Sequence, residues 1–205
     1  MASNETIKDD LSFLKNLAQA GQDAPLAMGP YLIAGGGWFG LASLVIGLIE
    51  LGMIPGNASL MAMSGLGGLL GFAVTLFLLL RRDRGQVQNL VNDTLGATWS
   101  AMGWGIFIFF VAVYLAAIRT GEETLLNSIS LVVLTLYAVA WKISASVSRQ
   151  AWMNIIVALT ALSLLIVSLS VGSSYLWLAY AAALFLSGVA PGLYLVHLYK
   201  QRNRA

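Results

Sequence analysis

The sequence predicts an all-α, polytopic membrane protein: six transmembrane helices in three tandem hairpins, with both termini cytoplasmic. Three observations predict it. Of 205 residues, 59% are hydrophobic and only 10% charged, whereas a typical soluble domain carries about 25% charged residues. Six apolar runs are each long enough to cross roughly 30 Å of hydrocarbon at about 1.5 Å per helical residue. Finally, the basic residues are split very unevenly between the two sets of connecting segments.

The predicted spans are Pro30–Leu51, Ala58–Leu80, Thr98–Ile118, Leu125–Ser146, Trp152–Val171 and Tyr175–Tyr199. Helices are expected because lipid cannot satisfy backbone polar groups, which must pair within each segment. The runs do not alternate as barrel strands would. Lys8, Lys15, Arg81, Arg82, Arg84, Lys142, Arg149, Lys200, Arg202 and Arg204 lie on one set of flanks, and Arg119 alone on the other. Positive residues favour the cytoplasmic side, so the first set is expected there. The outer loops Gly52–Asn57, Arg119–Thr124 and Gly172–Ser174 are short.

Residues 1–29 read as a cytoplasmic segment, 30–199 as the bundle and 200–205 as a basic tail. Ile7, Leu11, Leu14 and Ala18 share one helical face, so a short amphipathic helix is expected over 6–20, with Gly21 as its stop. Its acidic balance suits packing on protein better than docking on anionic lipid. No cleaved signal peptide is expected, because this acidic segment precedes the first apolar run. Pro30 suits the first turn of helix 1. Val87 and Val91 keep helical spacing, which extends helix 3 toward its N-terminus; Asp93 or Thr94 could instead cap a shorter helix.

Small residues recur four apart: Gly36 and Gly40 in helix 1, Gly67 and Gly71 in helix 2, Ala97, Ala101 and Gly105 in helix 3, Gly188 and Gly192 in helix 6. Such residues let helix backbones approach closely in a medium without a hydrophobic drive. The glycines are candidates for a packing seam, either within the bundle or between copies. Pro191 is a candidate hinge, because a proline frees the carbonyl four residues earlier and bends the helix. A bend held by its neighbours is the plainer outcome.

Ser128, Thr135 and Lys142 fall on one stripe of helix 4, and Thr160, Ser163 and Ser170 on one stripe of helix 5. Together they are candidates to line a polar path for a small solute. The plainer alternative is hydrogen bonding within or between helices. Lys142 lies near the cytoplasmic end of its span and can snorkel to the interface. Glu50, at the outer end of helix 1, is expected to pair with Arg119. By position, Trp99, Trp141 and Trp152 suit the inner aromatic belt and Trp177 the outer one. Trp38 and Trp104 lie deeper.

No acidic residue lies near the middle of a span, which argues against proton- or sodium-coupled transport. The lone His197 and the absence of cysteine leave no metal, haem or thiol chemistry in view, and no cofactor is implied. No nucleophile has a base beside it in sequence. The expected protein is a multi-pass component of a cell membrane, in keeping with a bacterial inner membrane. Its expected role is that of an accessory, structural or regulatory subunit acting through helix packing. The alternative is a channel or uncoupled transporter using helices 4 and 5. The expected partners are the lipid bilayer and either a second copy or another membrane protein; a net charge of +2 does not suggest nucleic acid.

Overall fold

The computed structural model describes residues 26–82 and 90–202. The amphipathic helix expected over 6–20 and the end of the basic tail lie outside them. All regular structure among the described residues is helical, and six helices are long and apolar enough to cross a membrane. We label them α1 (Gly29–Glu50), α2 (Ala58–Arg82), α3 (Leu90–Thr120), α4 (Ser128–Ser148) and α5 (Trp152–Leu169). The sixth span comprises α6 (Leu176–Leu184), a π-helical turn (Phe185–Val189) and α7 (Ala190–Arg202). A 3₁₀ turn, Glu123–Asn127, leads into α4.

Pro30 stands in the first turn of α1, where its missing N–H has no helical acceptor to lose. Chain reversals after α1, α3 and α5 each use a glycine at positive φ: Gly52, Gly121 and Gly172. α4 instead ends on Arg149, a left-handed residue with φ 54°. α3 is already helical at Leu90, well before the apolar run begins, so Asp93 and Thr94 lie inside it.

α1 is the hub. It packs on α2, α6, the π turn and α7; α5 packs on α4 and α6, and α3 on α4. α2 leans chiefly on α1, and α3 chiefly on α4 with its preceding turn. These two are therefore the outermost helices. Half of the most apolar stretch of α1 is buried, against 6% in α2 and in α3. Consecutive helices α2 and α3 are separated in space, whereas α4 and α5 pack closely.

Two apolar clusters divide the interior. One gathers Leu26, just before α1, and Leu32 in its first turns with Leu95 from the start of α3, Trp141 from α4, Met153 from the start of α5 and Leu195 from α7. The other joins Leu134 and Tyr137 of α4 to Val167 near the end of α5, and to Tyr180 and Leu184 of α6. In the first cluster the starts of the first, third and fifth spans thus meet the later parts of the fourth and sixth, as alternating chain directions require.

Candidate functional site

Pro191 opens the most distinctive site. It has no N–H to offer the carbonyl of Ser187, and its ring would crowd that oxygen in a regular α-helix. The chain answers with a π turn: the N–H of Ala190 reaches the carbonyl of Phe185, five residues back. The Ser187 carbonyl accepts a hydrogen bond from another helix, from the buried Trp141 indole of α4, at 2.8 Å. The Ser187 hydroxyl donates to the carbonyl of Ala183 at 2.7 Å. Gly188 presses on Gly36 across the α1 interface: a methyl carbon on Gly188 would lie 3.1 Å from the Gly36 Cα. The candidate hinge is thus held from two sides in this structure.

Trp141 also belongs to a chain of rings. Tyr137 meets Trp99 edge-on with centroids 5.3 Å apart, and Trp99 meets Trp141 at 5.5 Å. Trp141 meets Trp152 at 6.2 Å, and Trp152 meets Tyr194 at 5.0 Å. The set links α3, α4, α5 and α7. Edge-to-face rings add roughly 0.5–1.5 kcal/mol per pair beyond area burial. The Trp99 indole donates to the Ser144 hydroxyl at 3.2 Å, and Ser144 donates to the Ala140 carbonyl at 2.8 Å. What this arrangement does is lock helices together. Among the described residues no group of acidic, histidine or cysteine side chains could hold a metal.

Comparison with protein-family models, with curated proteins and with solved structures finds no match. The site is therefore read from its own geometry.

Each candidate seam glycine has a definite surrounding. A methyl carbon on Gly36 would meet the Leu184 carbonyl at 2.9 Å, and one on Gly40 would meet the Phe185 ring at 2.8 Å. On Gly192 it would meet Ile33 at 2.8 Å and the Gly29 carbonyl at 2.9 Å. On Gly71 it would run into the Trp38 indole at 2.5 Å. Gly67 differs, because nothing lies within 4 Å of the corresponding point. Its neighbour Gly68 is the buried glycine of α2, against Ala42 and the Trp38 carbonyl. The close approach of α1 and α2 runs through Gly68 and Gly71, so of the expected pair Gly71 faces α1 and Gly67 does not.

The polar stripes of α4 and α5 are not brought together. Thr135 and Lys142 lie exposed on α4, whereas Thr160 and Ser163 are buried on α5. Ser128, Thr135, Thr160 and Ser170 donate to their own backbone three or four residues back, at 2.6–2.9 Å. Lys142, on the exposed side of α4, donates to the Asn154 side-chain oxygen in the first turn of α5 at 3.1 Å.

Trp141 is fully buried and its indole N–H has an acceptor inside the protein, so it does not face headgroups as a belt residue would. Trp38 donates to Thr75 of α2 at 2.9 Å, and Trp104 faces outward. Glu50 has Trp177 as its hydrogen-bonding neighbour, so α1 pairs with the nearby sixth span rather than with Arg119 at the end of α3. His197 lies exposed, its Nε2 2.8 Å from the Gln201 amide nitrogen.

Proposed function

We propose that the protein is an accessory or structural subunit of a cell membrane, with both termini cytoplasmic and α3 as its face toward another membrane helix. The observation that carries this reading is the surface of α3. Ala97, Ala101 and Gly105 recur four apart on its exposed surface, Gly105 at the edge of that row where a methyl carbon would lie 3.8 Å from Leu136 of α4, and on another side of α3 Gly96 and Gly103 have nothing within 4 Å of where a side chain would start. Four-spaced small residues favour close helix–helix approach, and hydrocarbon tails gain nothing from them. Of α3, only Val91, Leu95 and Ala117 are buried.

Orientation rests on the basic flanks, ten of the eleven Lys and Arg residues. The polar-path alternative has weaker support, because its hydroxyls serve their own helices and its two stripes face different surroundings. A bacterial inner membrane is the setting we favour.

The test is association. Full-length protein extracted in mild detergent should run as an assembly larger than one chain, as a homo-oligomer or with a stoichiometric membrane partner. Ala101→Leu together with Gly105→Leu should release the single chain. A monodisperse monomer at every concentration, with no co-purifying protein, would refute the proposal.

A further inference from the structure

At the end of the bundle where α2 and α7 finish and α1 begins, there is a cavity of about 300 Å³. Leu26, Pro30 and Val196 give it an apolar wall. Arg82, Tyr199 and Lys200 bring two cations and a phenol to the same space. The geometry points to a binding site for the phosphate head of an anionic phospholipid.

The cations fit this chemistry by type. An ammonium and a guanidinium each form charge-assisted hydrogen bonds to phosphate oxygens, and the guanidinium has five N–H donors, enough to serve a head and a protein neighbour together. The tyrosine hydroxyl adds a neutral donor. The size fits as well: ligand pockets run from roughly 300 to 1,000 Å³, so this one suits a head alone, with its acyl chains left outside. The apolar wall selects between sources of phosphate. Free phosphate would gain nothing from Leu26, Pro30 and Val196, whereas a glycerol backbone and the first methylenes of a lipid would. Basic pockets between spanning helices on the cytoplasmic side are a general means of holding anionic heads. The site does not depend on the accessory-subunit reading, since it uses α1, α2 and α7 rather than the face of α3.

Native mass spectrometry of the full-length protein, with phosphatidylglycerol or phosphatidylcholine added, tests this. One phosphatidylglycerol should be retained in preference to phosphatidylcholine. Arg82→Gln with Lys200→Gln should weaken that retention by about tenfold or more. Arg81→Gln with Arg149→Gln removes the same charge outside the cavity, Arg81 lying 4.3 Å over the Phe77 ring, and should leave retention nearly unchanged. Ala27→Phe fills the cavity with every cation kept, and it should also release the lipid. Excess inorganic phosphate at constant ionic strength should leave the lipid bound. Equal loss in both charge pairs would reduce the effect to diffuse attraction and overturn the site. Retention unchanged by Ala27→Phe, or inorganic phosphate bound with no lipid retained, would overturn it too.

Discussion

The Trp141 indole donates at 2.8 Å to the Ser187 carbonyl, the acceptor that Pro191 leaves without its helical donor. Sequence and structure meet here in one bond. Trp141→Phe keeps most of the buried ring and removes the donor. It should cost about 1–2 kcal/mol, the penalty of an unmet buried acceptor in a membrane interior. Pro191→Ala returns a backbone N–H to the same helix. In that background the cost of Trp141→Phe should shrink. Unfolding in detergent measures both, and strictly additive effects would show that the two residues do not share the carbonyl.

Glycines should divide sharply on substitution. Gly36→Ala would drive a methyl group into backbone atoms of the sixth span, and overpacking of this kind costs about 1–3 kcal/mol. Gly67→Ala meets open space and removes a flexible residue from a helix, so it should stabilise by about 0.5–1 kcal/mol. Thermal melts of the two variants, compared side by side, check the contrast. Equal destabilisation would mean that Gly67 is packed against something.

With no native cysteine, single replacements report access cleanly. In bilayers, Thr135→Cys should react with a membrane-permeant maleimide, because its position is exposed, and not with a water-soluble one. Thr160→Cys and Ser163→Cys should resist both. Reaction of all three with the water-soluble reagent would restore the polar-path reading.

Lys142→Met should change stability by less than about 1 kcal/mol, because exposed polar pairs contribute little. A larger loss in denaturant titration would show that the Asn154 contact is a structural tie between α4 and α5.

Hydrophobic length made the six spans legible, because lipid demands it. The freed carbonyl of Ser187 followed from Pro191 alone. The donor that fills it did not follow. Trp141 lies near a span end, where tryptophan commonly anchors, and only the folded chain turns it inward. Helix 2 hid its true contact for another reason. Ser64, Gly65, Gly67, Gly68 and Gly71 spread around the axis, so spacing alone could not choose the pair that meets α1. The stripes of α4 and α5 are ambiguous in sequence because lipid is as apolar as leucine. Polarity therefore does not tell an inward face from an outward one when a hydroxyl can bond its own helix. Trp38 was marked only by its depth and Phe72 not at all, although a methyl carbon on Gly71 would run into the first and a side chain on Gly35 would reach the second.

The crossing of Gly36 and Gly188 sets a timetable for biogenesis. α1 emerges first among the described spans, and much of its buried surface belongs to the span made last. Synthesis proceeds at about 5–20 residues per second, so α1 waits on the order of ten seconds for that partner. During the interval its glycine face borders lipid, the insertion machinery or a chaperone. A chain cut short before residue 188 would keep α1 packed on α2 but leave the face that carries Gly36 and Gly40 without its partner.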